Sequence, residues 1–306
     1  MRLFSLAALA LLSAARIDAQ QVHVLIVTGL GGDDQHRRLF DSVATMLADS
    51  ARAKWGVRDS SIVVLGEDAD VKRHRGRSTK EEVQQAFLQL SKRMSPGDVF
   101  LVFLNGHGAG EGPASRVNLP GPDPTAADFA MWVSPLAKQR VVFVNAASGS
   151  GDFVPVLAGA GRVVVSATKT AIERNETIFP ALFVRGLTSG EADADKDGRI
   201  SVYEAFDYAK KEVARRYEAE GKLLTEHAVL SDTAFARSVA FGGARASTDP
   251  RVVALVAERQ ELESQVAALR ARKATMDAAA YDKELERLLL LLAGKTQAIR
   301  AAGLKP

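Results

Sequence analysis

The sequence predicts an α/β protein: a mainly parallel sheet with helices on both faces, followed by a C-terminal α-helical hairpin. Three observations carry that reading. Apolar, β-branched runs, interrupted only by His23, recur at 22–27, 62–65, 99–104, 141–144 and 163–165. Segments of helical spacing separate them, as expected of buried parallel strands joined by covering helices. From about Asp249 the composition changes, and apolar residues fall on a heptad-like seam.

Each element has a local cause. The run 22–27 ends in Thr28-Gly29-Leu30-Gly31-Gly32, a glycine-rich turn, and an amphipathic stretch follows from about Arg37 to Lys54. That turn has only a superficial likeness to a dinucleotide loop. Its last glycine is replaced by Asp34, and two carboxylates would repel a pyrophosphate, so a tight strand-to-helix turn is expected. Ser78-Thr79-Lys80-Glu81-Glu82 reads as a capped helix start, with acidic residues in the first turn. Val83, Phe87, Leu90 and Met94 continue it at helical spacing. Asp123, with Pro124 after it, predicts a helix running to about Ser134. Helical stretches are also expected over 178–187 and 202–217.

Composition bounds the function. At 306 residues, with 47% hydrophobic and 25% charged residues, the chain has the make-up of a globular protein with one large domain and an accessory element. The net charge is only +3, so despite a pI of about 9.1 no nucleic-acid partner is expected. Residues 1–19 have the form of an export signal: Arg2, an apolar stretch from Leu3 to Leu12, then small residues at Ser13-Ala14-Ala15 and Ala19. The apolar stretch is well short of the roughly 20 residues that span a bilayer. The expectation is an exported, periplasmic or extracellular protein that keeps no membrane anchor once the signal is removed. The chain has no cysteine, so its fold must hold without disulfides.

The expected domains are therefore a signal at 1–19, an α/β domain at 20–245, and a helical hairpin or short coiled coil at 249–306. In the last, Val252, Leu255, Leu262, Val266, Leu269 and Met276 form a seam that Arg259 and Lys273 interrupt, and Tyr281, Leu285, Leu288, Leu292 and Ile299 continue it. These helices can pack on their own domain or assemble the chain into an oligomer.

One motif carries metal chemistry. Asp193, Asp195 and Asp197 alternate ahead of Gly198, Arg199, Ser201 and Glu204, the spacing of an EF-hand calcium loop over 193–204. The aspartates supply hard oxygens and Gly198 permits the sharp turn. Arg199 offers its backbone carbonyl, Ser201 binds directly or through water, and Glu204 closes the sphere with both oxygens. A single structural Ca2+, filled at extracellular calcium levels, is expected. His227 lacks the ligand cluster that zinc requires.

Two strand ends carry the remaining chemistry. The run 99–104 enters Asn105-Gly106-His107-Gly108, and 141–144 enters Asn145-Ala146-Ala147-Ser148-Gly149-Ser150-Gly151. The first resembles the histidine turn of caspase-like and legumain-type cysteine peptidases. The second resembles their nucleophile turn, an acidic and a small residue followed by cysteine, any residue and Ser-Gly. The resemblance covers about 22–240 and implies a caspase-like fold, with His107 as general base. Alignment on Ser150-Gly151 places Ser148 at the nucleophile position; alignment on the strand end places Ala147 there. Asn145 then stands where the family has an acid.

A histidine alone can activate a thiol, whereas a serine hydroxyl normally needs a carboxylate-oriented histidine and an oxyanion hole. The turn amides around Gly149 are the candidate hole, and the sequence names no carboxylate for His107. The expected function is thus a degenerate peptidase site that binds a peptide or protein. The alternatives are a hydrolase using Ser148 and His107, and a scaffold that assembles through its C-terminal helices.

Overall fold

The computed structural model describes residues 20–68, 74–195, 198–242 and 250–303. The expected signal at 1–19 and the expected calcium ligand Asp197 lie outside the described residues.

Strands β1 (Val22–Thr28), β2 (Ile62–Gly66), β3 (Gly76–Arg77), β4 (Val99–Asn105), β7 (Arg140–Asn145), β8 (Arg162–Ser166) and β10 (Val229–Leu230) form one sheet in the order β10-β8-β7-β4-β1-β2-β3. All neighbours pair parallel except β10, which runs antiparallel to β8. The hairpin strands β5 (Gly108–Ala109) and β6 (Arg116–Val117) pair apart from the sheet, as do β9 (Arg199–Ser201) and β11 (Ala240–Gly242).

The strands are apolar on both faces because both are covered. Val24, Ile26, Leu101 and Phe103 face one core with helices α1 (Asp34–Ala53), α5 (Phe179–Ser189) and α6 (Val202–Ala219). Their alternates Leu25, Val27, Phe100, Val102 and Leu104 face a second core with α2 (Lys80–Ser91), α3 (Ala126–Val133) and the short α4 (Phe153–Leu157). The period of two along each strand gives the sheet two separate cores, one on each face. Truncating a fully buried ring such as Phe103 or Phe129 costs about 3–5 kcal/mol.

The α/β class and the five long strands agree with the sequence, while one helix start differs. Thr79 caps α2, accepting from the Glu82 amide at 3.3 Å. Thr125 caps α3 in a reciprocal capping box with Asp128. Asp123 is drawn elsewhere: it accepts from the Leu119 amide at 2.9 Å and pairs with Arg116 at 3.2 Å.

After the short α7 (Thr233–Ser238), helices α8 (Pro250–Ala271) and α9 (Ala278–Gly303) pack against one another around Val266, Leu269, Tyr281 and Leu288. Among the described residues no helix is long and apolar enough to cross a membrane.

Candidate functional site

Four adjacent strands end in a buried polar residue: Thr28 on β1, Asn105 on β4, Asn145 on β7 and Ser166 on β8. Thr28 pairs with Asn105 and Asn145 with Ser166, so the polar row runs along the carboxyl edge of the sheet, where α/β proteins place their ligands. His107 and the turn 146–151 follow directly from this row.

His107 is half-buried. Its ring meets Phe40 edge-on at 5.3 Å and His36 at 5.5 Å between centroids. Burial lowers its pKa, and the nearby His36 charge lowers it further, against Glu176, the Gly31 backbone and Asp33. The ring is therefore held neutral, the form in which a histidine can accept a proton. Among the described residues no carboxylate hydrogen-bonds it.

The carboxylates go to His36 instead. Its Nδ1 lies 2.7 Å from Asp33 and its Nε2 3.1 Å from Glu176. These bonds, that to Asp33 first, raise the His36 pKa. Asp33 also caps α1, accepting from the His36 amide at 2.9 Å. Sequence reasoning missed this cluster. Asp33 and His36 at N-cap spacing were visible, but Glu176 arrives from a distant loop.

Ser148 is 3% exposed, and its Oγ accepts from the Gly108 amide at 3.4 Å. It makes no hydrogen bond to His107. The neighbouring amides are already engaged: Ala147 N donates to Asn145 Oδ1 at 3.2 Å, Gly149 N to the Glu173 carbonyl at 2.8 Å, and Ser150 N to Thr168 Oγ1 at 2.8 Å. Of the turn amides around Gly149 expected to form an oxyanion hole, those of Gly149 and Ser150 are thus taken up by the protein itself. The β5–β6 hairpin covers the turn. A Cβ at Gly108 would stand 2.6 Å from the Ser148 carbonyl, so only glycine allows this approach. Ala147, fully buried, lies under the same hairpin, its Cβ 3.8 Å from that position.

The acidic loop lies between α5 and α6. Gly198 has φ +80, and its amide donates to Asp193 Oδ2 at 3.0 Å. Donor oxygens of Asp193, Asp195 and Glu204 all lie within 4.8 Å of one another. Glu204 Oε1 accepts from the Ala194 amide at 3.1 Å, while Oε2 accepts from Ser201 N at 2.8 Å and Ser201 Oγ at 2.7 Å in a capping box at the start of α6. Arg199 lies in β9, where it pairs with Gly242 of β11, and its guanidinium donates to the Ala240 carbonyl at 3.0 Å. Converging hard oxygens on a glycine-hinged loop fit a divalent cation of the calcium type. His227 binds Glu173 at 3.0 Å, a structural contact between two loops.

No protein-family model and no curated protein matches the chain. Among solved structures it is similar to the crystal structure of caspase-1 from Spodoptera frugiperda, at 12% identity over 70% of this chain and 89% of that chain, with a TM-score of 0.46.

Proposed function

We propose that this chain is an exported caspase- and legumain-like protein whose peptidase site has become a binding site for a peptide or protein. The observation that carries this reading is the sealed turn at 146–151. Ser148 Oγ is held by the Gly108 amide, and the amides of Gly149 and Ser150 are committed to other partners. Hydrolysis needs an exposed nucleophile and free oxyanion donors. Binding needs neither, and a neutral His107 at the edge of the site suits a hydrogen bond to a peptide amide. A serine-reactive fluorophosphonate probe tests the choice: the protein stays unlabelled under this reading, and labelling at Ser148 establishes the hydrolase instead.

The loop 193–204 binds one structural Ca2+ through Asp193, Asp195, Asp197, the Arg199 carbonyl, Ser201 and Glu204. The ion serves no catalytic step. It fixes the junction of α5 and α6, which is already tied to β11 by pairing of Ile200 with Phe241.

A second reading rests on α9, where Leu289, Leu290 and Leu291 are exposed. Three adjacent exposed leucines favour association through the C-terminal helices. Deleting 249–306 then converts an oligomer to a folded monomer; an unchanged mass in sedimentation rejects this role.

A further inference from the structure

The segment 169–178 runs from just beyond β8 to the start of α5 and lies against the turn 146–151. The Glu173 carbonyl accepts from the Gly149 amide at 2.8 Å, and Thr177 Oγ1 donates to the Ala146 carbonyl at 2.9 Å. A Cβ at Gly151 would stand 2.2 Å from the Lys169 backbone, so the two segments touch main chain to main chain. This strap is tied to the loop before β10: Glu173 meets His227 at 3.0 Å, and Asn175 Nδ2 donates to Thr225 Oγ1 at 3.0 Å. One further tie, from Glu176 to His36, reaches across to α1.

That tie needs a proton. Both His36 nitrogens lie against carboxylate oxygens, Nδ1 at 2.7 Å from Asp33 and Nε2 at 3.1 Å from Glu176. A carboxylate only accepts, and a neutral imidazole donates from one nitrogen alone. The ring that satisfies both is the imidazolium. Asp33 is fixed as the cap of α1, so a neutral His36 keeps its one N–H there and turns the Nε2 lone pair on Glu176. Among the described residues the other rings facing His36 are Phe40 and His107, which is itself held neutral. Arg37 is drawn away to Asp34 and Glu67, and Arg174 on the strap turns back to the Ala171 carbonyl. No other described cation replaces the imidazolium.

We propose that a proton on His36 clasps the strap over the turn 146–151, and that its loss as pH rises frees the strap from the Gly149 amide and the Ala146 carbonyl. The hydrogen bonds to Asp33 and then to Glu176 raise the His36 pKa from its ordinary 6.5. The clasp is therefore complete below that ordinary value and is lost as pH climbs through the higher folded one. Ser148 Oγ is held from the β5–β6 hairpin and not from the strap. The strap thus controls access to the main chain of the turn, the polar edge that a bound segment would meet, and leaves the hydroxyl covered. This holds whether or not the turn binds a peptide.

The test is hydrogen exchange read by mass spectrometry on the full chain, at about pH 6 and about pH 8.5, with labelling times scaled to the intrinsic exchange rate. Protection of 169–178 should fall by about threefold or more between the two, the worth of an exposed ion pair, while β4 stays protected. His36→Gln should have the lower protection at both pH values. His36→Lys, charged throughout, should show no fall and be better protected than His36→Gln at both. Glu226→Gln removes the other group that titrates beside the strap, and it should keep the fall seen in the parent. A parent without the fall overturns the proposal, as does a fall that persists in His36→Gln or His36→Lys. Equal protection of those two variants, or loss of the fall in Glu226→Gln, overturns it as well.

Discussion

The Gly108 amide points at Ser148 Oγ across 3.4 Å, joining the residue after His107 to the residue that a hydrolase would have to activate. The two turns are in contact through backbone and hydroxyl, and the imidazole takes no part. His107 instead leans on Phe40 and His36.

A thiol placed in this turn should be unreactive. Ser148→Cys is expected to react with a disulfide reagent only as fast as the protein unfolds, because the β5–β6 hairpin shields the position. Rapid labelling under native conditions would mean that the turn opens freely. The substitution itself should cost about 1 kcal/mol, the worth of one weakened buried hydrogen bond.

Calcium binding should depend on the Glu204 carboxylate and not on the cap it provides. Glu204→Gln retains a side chain able to close the capping box with Ser201, so metal-free stability should change little. Its calcium affinity should fall at least tenfold, measured by calorimetry on metal-stripped protein. Absence of binding to the parent protein at millimolar calcium would remove the ion from the account.

Glu226 gives an alkaline sensitivity. It is buried and accepts from the Ile178 and Phe179 amides at 3.0 and 2.8 Å at the start of α5. Burial outweighs those bonds, and with Glu173 nearby its pKa is pushed up to about 7 from 4.5. The folded state holds this proton more tightly than the unfolded chain. Its contribution is thus complete below about pH 4.5 and lost as pH rises to about 7, by up to about 3 kcal/mol. Glu226→Gln mimics the protonated acid, so its stability relative to the parent should climb across that window in urea denaturation. A difference independent of pH would refute the assignment.

His23 acts at the acidic side of the same range. Both ring nitrogens are buried without a hydrogen bond, and Asp98 lies 3.5 Å away. Burial lowers its pKa against the pull of Asp98. The unfolded chain takes up the proton first, so stability present above about pH 6.5 is lost as pH falls. His23→Leu should remove that loss and be neutral or stabilising at pH 7. Thermal unfolding at pH 5 and pH 7 measures both effects.

The five long strands were legible in the sequence because burial on both faces writes them as nearly unbroken apolar runs. The cap of α3 was misplaced by two residues, since Asp123 has the chemistry of a cap but its tertiary partners Leu119 and Arg116 claim it. Val229–Leu230 was invisible as a strand: two residues carry no period, and only β8 makes them one. His107 and Ser148 were proposed from the two strand-end turns and their family resemblance, and the acidic loop from local spacing. The Asp33–His36–Glu176 cluster was missed, because its outer members lie 143 positions apart and only the fold brings them together.

The division of the sheet into two cores has a consequence for how such a chain can change. His107 and Ser148 belong to neither core, although Val117 and Leu119 anchor the loop after His107 in the second and Ala146 anchors the turn in the first. A nucleophile can disappear from that turn without folding registering the loss. The same architecture leaves the rim of the sheet free to acquire new chemistry, one loop residue at a time.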